Sequence, residues 1–317
     1  MMLIIAKATA LASTSRASPR LHHPDCVHRI ASIATPPSPR APLHPLFTHD
    51  TRPHPLPAAF PAPLRTLGCG DRASSGIGRA LAGRLAEAGL NLVLVARSRP
   101  LLDALAAQLS ARHGVQVSVL DLDLARDDQL AELRAATDQR EVGLLVAAAG
   151  FGSSGPFLDG DLASETEMLM VNGRAVMQAC FHFGRRFRAQ GRGGLVLLSS
   201  IVGFQGMPYA AHYAATKAYV QALAEALQVE LSGCGVDVLA AAPGPTRSGF
   251  AARAGLRLGK ALDPEAIAQP ILEALGRQAT VLPGALSKLL TYALVPLPRW
   301  ARVRIMGQVM RGMSSKD

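Results

Sequence analysis

Aromatic residues are scarce: Phe, Tyr and Trp make up 4% of the 317 residues, with a single tryptophan. So few rings leave few platforms for stacking nucleobases. The formal net charge of +10 does not offset this, because the first 63 residues carry +4 of it and leave only a modest excess elsewhere. A nucleic-acid partner is therefore not expected. Paired cysteines are also missing. Cys26, Cys69, Cys180 and Cys234 are scattered, with no CxxC and no metal spacing. That pattern excludes a disulfide framework and a cysteine metal site, and suits a reducing compartment, so a cytoplasmic location with no bound metal is expected. No apolar run reaches the roughly 20 residues that span a bilayer.

One absence is local. Residues 1–63 contain none of the 29 glycines and only 2 of the 23 acids, but 12 of the 22 prolines and 6 of the 9 histidines. A proline-rich segment without hydrophobic periodicity buries too little apolar surface to offset its ordering entropy. Residues 1–63 are thus expected to be disordered. The opening MMLIIAKATALAS reads as a poor signal peptide or a transit sequence. From residue 64 onward the composition is that of a globular α/β domain.

What is present is an alternation. Apolar runs at 90–97, 115–124, 142–150, 193–200, 235–244 and 279–284 read as strands, and their near-continuous hydrophobicity fits parallel strands buried on both faces. Between them lie amphipathic helical patterns, one long segment running from 162 to 190. The fold class is therefore α/β, a doubly wound, Rossmann-like parallel sheet in a single domain over 64–285, with ligands at the carboxyl ends of the strands. A C-terminal tail, 286–317, is apolar, interrupted by Pro296 and Pro298, then basic. It is read as packed on the domain, covering the substrate mouth of its own or a partner subunit, or lying on a membrane interface.

Chemistry enters at two places. In ASSGIG (73–78), Gly76 and Gly78 let a backbone turn approach a pyrophosphate at the amino end of the following helix. In YAATK, Tyr213 and Lys217 are four apart and share a helix face. A phenol with a pKa near ~10 is a poor acid–base group at neutral pH, and a neighbouring ammonium favours its ionised form. Ser200 closes the LLSS strand thirteen residues before Tyr213. Each element alone has a structural explanation: a ligand-free glycine loop, a half-exposed Tyr and Lys, a strand-end cap.

Together these motifs resemble the short-chain dehydrogenase/reductase family, single-domain type, from about residue 73 to residue 284. The likeness includes AAAG at 147–150, VNGRAV around Asn172, and PGPTRSGF from Pro243. It implies an oxidoreductase that interconverts an apolar carbonyl compound and its alcohol by hydride transfer. Tyr213 would be the acid–base, Ser200 the donor polarising the carbonyl, Lys217 the ribose contact that keeps the phenol acidic, and Asn172 the holder of a water linking Lys217 to solvent. The cofactor would lie against Ser74, Ser75, Gly76, Ile77, Gly78, Gly150, Pro243 and Gly244. Asp123 resembles the family's adenine contact, and Thr246 and Ser248 resemble residues holding carboxamide and pyrophosphate. After the second strand stand Ala96, Arg97, Ser98 and Arg99; a base without an acid there favours NADP over NAD, through Arg97. A homodimer or homotetramer is expected by analogy. A sugar-nucleotide epimerase shares YxxxK but needs more chain after PG.

The chain departs from the family at two points. AAAG replaces two side-chain amides by Ala147 and Ala148. More seriously, Asp71 and Arg72 stand where the family has Thr-Gly, and of the preceding residues only Leu64–Cys69 can form the first strand. Arg at the first-glycine position adds a Cβ where the turn must pack closely. The triplet Gly70-Asp71-Arg72, written GGT GAC CGG and read one base on, gives Val-Thr-Gly, the missing motif. A one-base deletion is therefore our reading of the altered beginning, against a transit peptide on a divergent enzyme. Taken as it stands, the chain has a degraded first strand, and the alternative function is a catalytically impaired nucleotide-binding or scaffold protein.

Overall fold

The computed structural model of the chain describes residues 3–7, 65–68, 76–256, 259 and 261–313. Among these, an eight-stranded sheet forms the core. Its strands are β1 (Leu3–Lys7), β2 (Arg65–Gly68), β3 (Asn91–Ala96), β4 (Val117–Asp121), β5 (Leu144–Ala147), β6 (Gly193–Leu198), β7 (Val236–Ala241) and β8 (Thr280–Val281). The spatial order is β4-β3-β2-β1-β5-β6-β7-β8. All pairings among β2 to β8 are parallel, and β1 is antiparallel to each strand it pairs with.

Strands β3 and β6 are buried along nearly their whole length, as their Leu/Val runs dictate for a sheet covered on both faces. Helix α1 (Ile77–Glu87) packs on α2 (Arg99–His113) and on α8 (Pro264–Ala274), while α3 (Asp127–Asp138) packs on α5 (Ala175–Gln190). Their apolar faces join the strands in one cluster holding Leu81, Leu102, Phe183 and Ile267. Helix ends follow local chemistry. Gly114 and Gly191 stop α2 and α5 in the left-handed conformation that a Cβ disfavours.

Two findings differ from the sequence reading. First, regular structure begins inside the segment expected to be disordered. β1 is antiparallel to β3 (Ile5 opposite Val93) and to β5 (Leu3 opposite Ala147), and Leu3 is fully buried. β2, the expected remnant of the first strand, is parallel to β3, with Leu67 also opposite Val93. Both segments are thus registered to the edge of β3 that β4 leaves open. The physical reason is backbone satisfaction: an empty slot between β3 and β5 would bury two rows of unpaired N–H and C=O groups. A short apolar segment such as Leu3–Lys7 fills it in either direction.

Second, the 162–190 segment is not one helix. It comprises α4 (Leu162–Leu169), a π-helical stretch (Met170–Arg174) and α5. A π turn carries one more residue per hydrogen-bonded ring and re-aims the side chains it holds. Asn172 lies in its middle.

Candidate active site

At the carboxyl ends of β5, β6 and β7 lies a crevice of 740 Å³. This is the topological switch point, where a doubly wound sheet leaves room for a ligand. Helix α6 (Ala211–Leu231) runs along it and places Tyr213 and Lys217 one turn apart, both on the crevice wall.

The pair is tightly held. The Lys217 Nζ donates to the Leu198 carbonyl at 2.7 Å, and the Lys217 carbonyl accepts from Ser199 Oγ at 3.1 Å. The end of β6 therefore fixes both ends of the lysine. Burial lowers the Lys217 ammonium to about 8. Desolvation pushes the Tyr213 phenol up to about 12, against a smaller lowering influence of the Ser200 hydroxyl. The ring is half-buried, so crevice water tempers the rise. Lys217 Nζ lies 5.9 Å from the Tyr213 ring centre. The expected acidifying effect of Lys217 is thus not the leading influence in this state: burial outweighs it.

Ser200 is extended, φ −167°, and buried where β6 ends; its Oγ donates to the Pro243 carbonyl at 3.4 Å. Its Oγ also accepts the Val202 N–H at 3.5 Å, capping the turn that follows β6. Asn172 is fully buried behind the crevice wall. Its Nδ2 donates to the Phe151 carbonyl at 2.8 Å and to Thr216 Oγ1 at 3.0 Å, and its Oδ1 accepts from the Phe151 N–H at 3.1 Å. The side chain is spent on positioning the β5 end and α6.

The glycines form a cradle. Gly76, at φ +92°, precedes α1, whose first turn holds no acid; a Cβ there would lie 3.2 Å from Ser248. At Gly150 a Cβ would come within 3.1 Å of both Lys217 Nζ and Asn172 Oδ1, and at Gly244 within 2.7 Å of Ser287 Oγ. Backbone is thus bare where the turn, the β5 end and the β7 end meet. A dinucleotide fits this cradle in shape and in charge: an uncapped helix amino end, with Arg79 and Arg97 beside it on the wall.

Of the residues read from sequence, the crevice gathers Gly76, Ile77, Gly78, Arg97, Gly150, Ser200, Tyr213 and Lys217, together with Pro243, Gly244, Thr246 and Ser248 from the segment after β7. Ser74 and Ser75 lie outside the described residues. Asp123 is not on the wall; its carboxylate turns back to accept the Ala125 N–H at 3.0 Å, capping its own turn. Arg97 is ion-paired, its Nη1 2.7 Å from Glu167 Oε1. Arg253 reaches the same oxygen at 3.9 Å and stacks over Phe151 at 4.1 Å.

Two other members, Ser287 and Phe250, were not given a role from the sequence. Ser287 is fully buried and accepts the Gly244 N–H at 2.9 Å; its signal is a small hydroxyl among the leucines of its helix. Phe250, on α7 (Gly249–Ala254), lies 5.1 Å from the Tyr213 ring, centre to centre. The tail forms α9 (Ala285–Tyr292) and α10 (Arg299–Met313), and both helices frame the crevice. Among the described residues, no group of acids, histidines and cysteines could hold a metal ion, and no helix is long and apolar enough to cross a membrane.

A doubly wound sheet with a Ser–Tyr–Lys cluster facing a glycine-lined cradle defines a nucleotide-dependent oxidoreductase. Residues 72–257 match the family model described as short chain dehydrogenase, and the chain belongs to that family. The match opens where the glycine turn becomes readable. A 7beta-hydroxysteroid dehydrogenase of Clostridium sardiniense is 30% identical over 220 residues, which is 68% of this chain and 84% of that protein. A short-chain dehydrogenase from Sphingobium yanoikuyae, solved with NADPH, superposes with a TM-score of 0.65 at 34% identity, covering 75% of this chain and 94% of that one. The bulky-bulky ketone specific alcohol dehydrogenase from Comamonas testosteroni gives 0.61 at 31% identity, over 77% and 92%. The chain is an oxidoreductase of the class that interconverts alcohols and carbonyl compounds.

Proposed function

We propose that the chain reduces a bulky apolar ketone, or oxidises the matching alcohol, with NADP(H), and that Tyr213 carries the proton. The observation that carries this is the convergence of Ser200, Tyr213 and, one helical turn on, the buried Lys217 on a single crevice wall in front of the cradle. When bound, the nicotinamide supplies or accepts the hydride at the carbonyl carbon.

The chain's own residues do the rest. A substrate carbonyl oxygen within reach of both hydroxyls is polarised by Ser200, a preorganised donor toward charge that develops as hydride arrives. Tyr213 gives its proton to that oxygen, and in the reverse direction takes it back. Lys217, already aimed at the β6 end, would hold the ribose. With a hydroxyl-bearing partner beside it, its positive charge favours the phenolate that Tyr213 becomes. The turn 74–78 would hold the pyrophosphate, Thr246 and Ser248 the carboxamide side, and Arg97 the 2′-phosphate. Asn172 acts by holding Phe151 and Thr216 in place.

Substrate class follows from the other half of the crevice, walled by Met207, Leu256, Leu294, Met306 and Met310. The names of the relatives, a hydroxysteroid and a bulky ketone enzyme, support the same class. Titrating the chain with NADPH by fluorescence, then screening bulky ketones, tests the reading. Tyr213→Phe is expected to abolish turnover and leave NADPH affinity within about twofold, because the lost hydroxyl acts in proton transfer. Turnover that survives the substitution refutes the mechanism. Failure of the unaltered chain to bind NADPH would support the impaired, non-catalytic reading.

A further inference from the structure

The geometry points to a membrane-docking face built by α9, the 293–298 connection and α10, with an anionic lipid bilayer surface as its occupant. Leu289, Tyr292, Val295, Trp300, Ile305 and Val309 are all large, apolar and exposed there, Leu289 at 65% and Trp300 at 64%. Scattered apolar residues are ordinary, but a cluster of this kind marks a contact surface. Leu289, Ile305 and Val309 also line the crevice, so the exposed face and the mouth of the site are continuous.

Charge selects the occupant. Between 286 and 313 stand Lys288, Arg299, Arg302, Arg304 and Arg311, and no acid. A second copy is disfavoured, because a two-fold contact sets a patch against itself and would oppose cation to cation. An anionic headgroup layer satisfies the same patch. The Arg304 guanidinium lies 5.5 Å above the Trp300 ring, an aromatic–cationic pair suited to the boundary between headgroups and acyl chains. Among the described residues no helix is long and apolar enough to cross a bilayer, so the proposed contact is one along the surface. Docked this way, the crevice opens toward the bilayer, and an apolar ketone enters it without passing through water. That last step rests on the proposed function; the docking itself does not.

The test uses the full chain with vesicles of phosphatidylcholine alone or mixed with phosphatidylserine. The single tryptophan is Trp300, so its fluorescence reports this face alone. The expected result is co-sedimentation with the anionic vesicles, a blue shift of Trp300 emission, and quenching by lipids brominated in the acyl chain. Affinity should fall about tenfold or more at high salt, and likewise in Arg299→Glu/Arg304→Glu, two exposed positions where circular dichroism verifies folding. The idea is overturned if the chain stays in the supernatant with both vesicles, if binding ignores lipid charge, or if Trp300 becomes shielded by dimerisation without lipid. Vesicle binding without ketone turnover keeps this inference and removes the catalytic reading; turnover without vesicle binding does the reverse.

Discussion

Gly203 sits in the short 3-10 turn, Ile201–Phe204, that links Ser200 to the approach of α6. A Cβ added there would lie 2.9 Å from the carbonyl carbon and oxygen of Lys217, and 3.1 Å from the Ala218 nitrogen. All three are main-chain atoms, so no side chain can swing away to make room. Ordinary contact needs roughly half an ångström more, and α6 must shift to give it. Overpacking of this kind costs about 1–3 kcal/mol. For a domain of this size that is a melting temperature lower by roughly 2–12 °C. The same shift carries Lys217 and Tyr213 away from Ser200, and a displacement near 1 Å at a reacting group can cost about a hundredfold in rate. Gly203→Ala is therefore expected to lower both Tm, by calorimetry, and kcat, with a smaller change in NADPH affinity. Gly83→Ala is the control: it lies within α1 with nothing within 4 Å of the new Cβ, and should raise stability by about 0.5–1 kcal/mol. A Gly203→Ala enzyme with unchanged melting and turnover would falsify the close-packing argument.

Two further outcomes follow from the same wall. Arg97 must release Glu167 before it can meet a 2′-phosphate, and the pair is half-exposed, worth about 1 kcal/mol or less. Glu167→Gln should tighten NADPH binding by up to about fivefold and barely alter NADH, as measured by fluorescence titration; equal effects on both cofactors would remove Arg97 from phosphate recognition. Lys217 is held near 8, below its unfolded 10.5, so between these values the unfolded chain binds the extra proton and stability rises with pH. Tyr213, raised to about 12, acts oppositely above pH 10, where the native state keeps a proton the unfolded chain has lost. Chemical denaturation across pH 7–11 should show that rise and then its reversal. In Lys217→Met the rise should vanish, and its persistence would mean another group causes it.

Most of the fold was legible because parallel strands buried on both faces are written as unbroken Leu/Val runs, and the six runs read from 90 onward coincide with β3 to β8 within a few residues. The crevice residues were legible through fixed spacing: Tyr213 and Lys217 by helical geometry, Gly76 and Gly78 by the turn they allow. Three things were not. The five residues of β1 are too few to show a period, and their pairing is with distant strands rather than neighbours. The π turn at Met170–Arg174 leaves no mark in an amphipathic pattern that continues on either side of it. At Asp123 the carboxylate also accepts the Ala125 N–H in a local Asx turn, a contact that spacing does not reveal. The first half of the cofactor turn, with Asp71 and Arg72, lies outside the described residues.

Pairing Leu3 with Ala147 ties together positions about 140 residues apart, a closure that costs on the order of 4 kcal/mol in chain entropy. Helices and neighbouring strands join through nearby contacts, whereas the seam between β3 and β5 depends on a segment far away in the sequence. The seam at the middle of the sheet is thus its most non-local joint, and a pairing of that range is the kind that slows folding.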